Sequence, residues 1–147
     1  MLDTSHIGAA LPVFNATVEA GRLRFFAQAT GQDDPVYIDE AAARAAGHPG
    51  LPVPPTFLFC LEMASPRPAA MRELLGIDIA RVLHGEQAFV YHTMAHAGDE
   101  LHFEPRIADI YAKKGGALEF VVRETRVTDA AGRLVAELRA TTVVRNA

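Results

Sequence analysis

Apolar residues follow a helical spacing in the first part of this chain and a more alternating, strand-like spacing in the second part. From Glu19 to Thr30 the apolar side chains fall three or four positions apart, and Gly31 follows as a natural C-terminal stop. Further on, Asp39 precedes the Ala-rich run EAAARAA, which ends at Gly47. The pattern therefore predicts two short helices before His48.

A third helix is predicted over PTFLFCLEMA, directly after the proline-rich segment HPGLPVPP. Pro55 fits the first turn of that helix, because the first backbone N–H groups of a helix have no partner inside it. The segment is apolar on nearly every side, which is typical of a helix buried in a core. We expect a sheet to wrap around it.

The second part contains four candidate strands separated by turn-forming residues. KKGG at Lys113–Gly116 and DAAG at Asp129–Gly132 are typical hairpin turns, so the strands are predicted to run antiparallel. The strands span Ile79–Met94, Glu100–Ala112, Ala117–Thr128 and Leu134–Arg145. Helices followed by strands indicate the α+β class, here in one domain over residues 1–147.

The composition is that of a soluble globular chain, with 147 residues, 50% hydrophobic residues and a net charge of -4. The acidic balance argues against a nucleic-acid partner, which would require clustered Lys and Arg. Cys60 is the single cysteine, so no disulfide can form within the chain. We find no signal-peptide pattern and no long apolar run, and we expect a cytoplasmic protein without a membrane segment.

Four segments resemble the MaoC-like hydratase and dehydratase family, and most closely its N-terminal dehydratase domains. They are GQDDPVYIDEAAARAAG at Gly31–Gly47, the PTF helix start at Pro55–Phe57, AGDEL at Ala97–Leu101, and VTDAAGRLVAELRATTVV at Val127–Val144. The resemblance implies a hot-dog fold, in which an antiparallel sheet wraps around a central apolar helix. It also implies an acyl thioester of coenzyme A or acyl carrier protein as substrate, as in fatty acid metabolism, with no cofactor.

The water-activating motif of that family is altered in this chain. Members of the R-specific hydratase type carry GDxNPxH, whereas GQDDPVY places Gln32 at the Asp position, Asp34 at the Asn position and Tyr37 at the His position. Neither Gln nor an ordinary Tyr exchanges a proton readily near neutral pH. Two interpretations remain: Asp34 held beside a histidine as a displaced catalytic pair, or a turn at Asp33, Asp34 and Tyr37 that bonds its own backbone.

The segment LHGEQAF supplies a second polar group of residues. On a regular strand His84 and Glu86 share one face, which would place an imidazole beside a carboxylate, and Gly85 would let a thioester approach the backbone. The alternative is a structural histidine beside a solvated Glu86. The candidate catalytic residues are therefore His84, Asp34, Tyr37 and Glu86, and the candidate substrate contacts are Gln32, Pro54, Thr56, Phe57, Gly85 and Gln87.

No metal site is predicted. His92, His96 and His102 lie near Asp99, but their spacing matches no compact ligand pattern. Nucleophile-elbow, phosphate-loop and dinucleotide motifs are also missing, so nucleotide hydrolysis and hydride transfer have no support.

Three functions are compatible with these features. The first is a hydro-lyase that hydrates an enoyl thioester or dehydrates a 3-hydroxyacyl thioester, with N–H groups of the central helix from Thr56 polarising the thioester carbonyl. The second is a non-catalytic acyl-binding subunit whose catalytic MaoC-like partner supplies Asp and His. The third is a thioesterase, for which Glu62 is the acidic residue on the central helix. An open sheet edge predicts a homodimer or heterodimer in each case.

Overall fold

Five antiparallel strands form one sheet in the computed structural model, which describes residues 1–146. The strand order across the sheet is β1-β3-β4-β5-β2, so β1 and β2 lie at its two edges. The strands are β1 (Phe14–Thr17), β2 (Val82–Tyr91), β3 (Glu100–Lys113), β4 (Leu118–Asp129) and β5 (Leu134–Arg145). The three long hairpin partners β3, β4 and β5 form its centre.

Four α-helices accompany the sheet: α1 (Ala20–Thr30), α2 (Glu40–Ala45), α3 (Phe57–Met63) and α4 (Ala70–Leu75). Helix α1 ends where Gly31 adopts a φ of 70°, and its N–H donates back to the carbonyls of Ala27 and Gln28. Helix α2 begins where the Asp39 carboxylate accepts a hydrogen bond from the N–H of Ala42 at 2.9 Å. The end of α1 at Gly31 and the start of α2 after Asp39 are both confirmed as predicted.

Helix α3 is shorter than predicted and begins two residues after Pro55. Thr56 precedes it with a φ of 71°, in the left-handed region, and a right-handed helix cannot extend through that conformation. Pro55 therefore lies in the approach to the helix and not in its first turn. The predicted burial is confirmed, since Phe57, Leu58, Leu61 and Glu62 are all buried.

The main core lies between α3 and the sheet. Phe57, Leu58 and Leu61 pack in one cluster with Leu101 and Phe103 of β3 and with Leu138 of β5. A second cluster lies further along the sheet, where Met71 of α4 packs against Ile107 and Val121. The sheet thus wraps around a central apolar helix, which confirms the expected α+β hot-dog arrangement.

Two elements were missing from the sequence-based prediction, namely β1 and α4. Strand β2 is also shorter than the predicted Ile79–Met94. At its start the Asp78 carboxylate accepts a hydrogen bond from the N–H of Ala80, and Ile79–Arg81 form a 3-10 turn there. The strand ends at Tyr91.

Over residues 1–146, no helix is both long enough and apolar enough to span a membrane.

Candidate functional site

The altered motif forms a turn held by its own side chains. The side-chain oxygen of Gln32 accepts a hydrogen bond from the N–H of Asp34 at 3.2 Å, and the Asp34 carboxylate accepts from the N–H of Val36 at 3.0 Å. Asp34 thereby caps the short 3-10 turn Pro35–Tyr37. Both side chains are thus engaged with local backbone, as the turn interpretation expects.

Tyr37 projects from this turn into a cavity of about 250 Å³, which we call the Tyr37 cavity. Most of its wall is apolar and comes from the approach to α3, from α3 itself and from the region after β2. The lining residues are Tyr37, Val53, Pro55, Leu58, Tyr91, His92, Thr93, Met94, Ala95 and Val135. A space with such walls suits an apolar ligand with few polar groups.

A second space, which we call the β2 groove, lies along the inner side of the β2 edge and measures about 480 Å³. It is lined by Phe26, Thr56, Phe59, Cys60, His84, Gly85, Glu86, Gln87 and Phe89. The imidazole of His84 packs edge-on against the Phe59 ring at 5.9 Å. Five of the predicted site residues therefore meet in this groove, while Tyr37 lies in the Tyr37 cavity.

Two other predicted contacts, Pro54 and Phe57, lie inside the core. Phe57 is 2% exposed and packs edge-to-face against Phe26, with the ring centres 5.3 Å apart. Pro54 is buried as well. Neither residue is among those lining the Tyr37 cavity or the β2 groove.

His84 and Glu86 do not share a face of β2, so that part of the sequence-based prediction is wrong. The strand register shifts between them: His84 lies opposite Thr142 on β5, whereas Glu86 lies opposite Thr141. Consecutive residues of β5 face opposite sides of the sheet, and the bulge therefore separates the imidazole from the carboxylate.

Gly85 is the extra residue of this bulge, and close packing requires glycine there. A Cβ atom at this position would lie 2.8 Å from Cγ2 of Val143 and 3.0 Å from the carbonyl oxygen of Thr141. Gly85 still lines the β2 groove. The contact with β5 is enough to explain why this residue is glycine, and no approach of a substrate is needed to explain it.

Tyr91 is a site residue that the sequence analysis missed. Its hydroxyl oxygen accepts a hydrogen bond from the backbone N–H of Thr56 at 2.8 Å. The N–H group at Thr56 was expected to face a thioester carbonyl, but in this structure it is engaged by Tyr91. The contact joins residues 35 positions apart, so no local sequence pattern signals it.

Histidines form two further pairs near the Tyr37 cavity. Nε2 of His92 lies 2.9 Å from the Glu137 carboxylate on β5. Nδ1 of His48 lies 3.1 Å from Nε2 of His96, which joins the loop after α2 to the turn before β3. Burial lowers the pKa of His96; the nearby Asp99 carboxylate opposes this effect and His48 adds to it.

These histidines do not assemble a metal centre among residues 1–146, where no group of three or more ligand-type side chains is suitably placed. His102 bonds Asn15 on β1 at 2.6 Å instead. Asp99 accepts a hydrogen bond from the backbone N–H of His96 at 2.8 Å.

Glu62, the acidic residue of α3, is paired inside the core. Its carboxylate lies 2.8 Å from the guanidinium of Arg123 on β4 and also accepts from the hydroxyl of Thr125. Its side chain is only 4% exposed. Glu62 lines neither the Tyr37 cavity nor the β2 groove.

A five-stranded antiparallel sheet around a buried apolar helix, with an apolar cavity beside the motif turn, is the hot-dog arrangement. The model of the FAS1-like dehydratase domain region matches residues 5–138. A UPF0336 protein of Saccharopolyspora erythraea is 36% identical over 146 residues, covering 98% of this chain and 92% of the relative.

Two solved structures are also similar to this chain. The C-terminally truncated HadBC complex, a (3R)-hydroxyacyl-ACP dehydratase of Mycobacterium tuberculosis, matches with a TM-score of 0.79 and 26% identity, covering 94% of this chain and 96% of that one. A MaoC-like dehydratase matches with a TM-score of 0.86 and 26% identity, covering 97% of this chain and 43% of that one. The chain belongs to the FAS1-like dehydratase domain family, and its membership of the MaoC-like group is confirmed.

Proposed function

We propose that this chain is an acyl-thioester-binding subunit of a hydratase or dehydratase, and that a related chain supplies the water-activating Asp and His. The observation that carries the proposal is the motif turn. Gln32 and Asp34 bond local backbone, and Tyr37 stands over an apolar cavity at the place where family enzymes carry His. The Gly31 and Pro35 frame of the motif is present although its proton-transfer groups are replaced.

The walls of the Tyr37 cavity support an acyl ligand. Val53, Leu58 and Val135 offer hydrocarbon surface, and burying each methylene of an acyl chain is favourable by about 0.8 kcal/mol. The polar side chains of the lining are those of Tyr37, Tyr91, His92 and Thr93. This distribution suits a fatty acyl group with one polar end.

The comparisons support a paired arrangement. HadBC is a dehydratase complex. The MaoC-like dehydratase is a longer chain, and the part of it that this chain matches makes up 43% of its length. Strand β2 lies at the edge of the sheet and exposes Leu83 and Val90. An exposed ten-residue edge strand is a natural pairing surface, so we propose a homodimer or a heterodimer through β2.

Calorimetric binding of crotonyl-coenzyme A and a longer enoyl-coenzyme A to the purified chain tests the proposal. Free coenzyme A serves as the control, because it separates recognition of the acyl group from recognition of the nucleotide. We expect both acyl ligands to bind more tightly than coenzyme A, and absorbance to show no hydration by the chain alone. Absence of acyl-dependent binding would contradict the proposal.

A self-sufficient hydratase is the second candidate, favoured by the position of His84. Its imidazole lines the β2 groove together with Thr56 and Gln87. Hydration by the wild-type chain alone, lost in His84→Ala and reduced in Tyr37→Phe, would establish this candidate in place of the subunit. The carboxylate that a thioesterase would need is held by Arg123, and we do not propose that activity.

A further inference from the structure

Tyr91 lies where the Tyr37 cavity meets the β2 groove. On the approach to α3, Pro55 lines the cavity while the next residue, Thr56, lines the groove. The same division recurs one turn later, with Leu58 on the cavity and Phe59 on the groove. On β2, Tyr91 lines the cavity and Phe89 the groove, so the boundary between the two spaces runs past the Tyr91 ring.

Two contacts hold Tyr91 at this boundary. Its hydroxyl accepts the hydrogen bond from the N–H of Thr56, which links a residue of the cavity wall to a residue of the groove wall. Its ring stacks on Phe89 with a centre-to-centre distance of 5.8 Å and an interplanar angle of 2°. Tyr91 is otherwise open to solvent, with 48% of its surface exposed, so the ring has room to turn away.

The backbone at Thr56 is set for this contact. A φ of 71° is unusual for a residue with a branched side chain, and such conformations persist where the surroundings hold them in place. In this conformation the Thr56 N–H meets the Tyr91 hydroxyl. The contact is therefore part of how the entry to α3 is built.

We propose that Tyr91 is a gate that sets the length of acyl chain this protein accepts. The proposal rests on the proposed acyl-thioester function and deepens it. With the Tyr91–Thr56 bond in place, the Tyr91 ring stands between the cavity of about 250 Å³ and the groove, and a bound acyl chain does not pass from one to the other. When that bond breaks and the ring turns, the cavity and the groove of about 480 Å³ become one continuous space.

The gate affects long and short chains differently. A short acyl group fits the cavity alone and gains nothing when Tyr91 moves. A long chain must open the gate first, and its apparent affinity is reduced by the fraction of molecules that are open. Each methylene buried beyond the gate then raises affinity about fourfold.

Calorimetric titration of butyryl-coenzyme A and dodecanoyl-coenzyme A tests this inference on the wild type, Tyr91→Phe and Tyr91→Ala. Tyr91→Phe removes the hydroxyl tether and keeps the stacked ring, while Tyr91→Ala removes the barrier itself. We expect the ratio of dodecanoyl to butyryl affinity to rise about fivefold in Tyr91→Phe, the value of one hydrogen bond. It rises further in Tyr91→Ala, and the ratio of the two affinities is the readout because Tyr91 also lines the cavity that holds both acyl groups.

Tyr111→Phe is the matched control, because Tyr111 stacks on Phe120 between β3 and β4 and lines neither space. An unchanged affinity ratio in both Tyr91 variants, with binding by the wild type intact, would overturn the gate and leave the proposed function standing. An equal loss of both ligands in Tyr91→Phe would also overturn it, since the hydroxyl would then contact the thioester. No acyl binding by the wild type would count against the proposed function and the gate together.

Discussion

The carboxylate of Glu62 on α3 lies 2.8 Å from the guanidinium of Arg123 on β4, inside the space that the sheet encloses. A charge removed from water is costly unless a partner compensates it. Here Arg123 and the Thr125 hydroxyl both meet the carboxylate, so α3 is fixed to the sheet by polar contacts as well as by apolar packing.

Removing one partner of this pair is expected to destabilise the protein strongly. Arg123→Met leaves the buried Glu62 carboxylate without its cation, and a loss of about 3 kcal/mol in the free energy of unfolding is the usual consequence. Urea denaturation measures it. The double variant Glu62→Leu with Arg123→Met should recover much of that loss, because no uncompensated charge remains. Two independent, additive losses would show that the pair is not coupled.

Gly85→Ala is expected to destabilise the junction between β2 and β5. The added methyl group would lie 2.8 Å from Cγ2 of Val143, and overpacking of this kind costs about 1–3 kcal/mol. Thermal and urea unfolding measure the change. Gly21→Ala in α1 is the matched control, because nothing lies within 4 Å of its added methyl group, and it should be neutral or stabilising by up to about 1 kcal/mol. Equal stability of the two variants would contradict the packing argument.

The bulge at Gly85 also shows where prediction from the sequence reached its limit. Alternation along LHGEQAF placed His84 and Glu86 on one face, and a regular strand would have done so. The bulge depends on how Gly85 packs against Val143, which is 58 positions away in the chain. The alternation of residues along one strand does not reveal how that strand packs against a distant segment of the chain.

The fold was more predictable, because its elements carry local signals. Gly31, Asp39 and the DAAG turn mark ends of helices and strands by their own conformational preferences, and the structure places those ends there. Strand β1 carries no such signal: its four residues pair with Glu100–Phe103, far away in the sequence. The bond between Tyr91 and Thr56 was beyond prediction for the same reason.

Stability should fall as the pH drops below about 6.5 because of His96. Its pKa is lowered in the folded protein by burial beside His48, so the unfolded chain binds a proton more readily than the folded one. The destabilisation begins as the pH falls through the ordinary histidine pKa near 6.5 and stops growing below the lowered pKa of the folded state.

Melting temperatures measured between pH 5 and pH 8 test the role of His96. His96→Gln should flatten the acid side of the profile, because the group that titrates differently in the two states is gone. His102→Gln is the control on β3, where the imidazole bonds Asn15 of the edge strand β1. A profile that His96→Gln leaves as steep as the wild type would contradict the assignment.

The motif turn offers a test by gain of function. Gln32→Asp, Asp34→Asn and Tyr37→His together rebuild GDxNPxH, and Asn at position 34 still caps the 3-10 turn as Asp34 does now. If the chain already holds an acyl thioester in the Tyr37 cavity, the rebuilt pair should hydrate enoyl-coenzyme A about a hundredfold faster than the uncatalysed background, the lower range for general acid–base catalysis. The variant that changes only Gln32 and Asp34 is the control, because it lacks the imidazole and should stay inactive. A rebuilt triple variant that binds acyl-coenzyme A but does not hydrate it would show that the thioester lies away from this turn, and would remove the main support for assigning the motif's role to a partner chain.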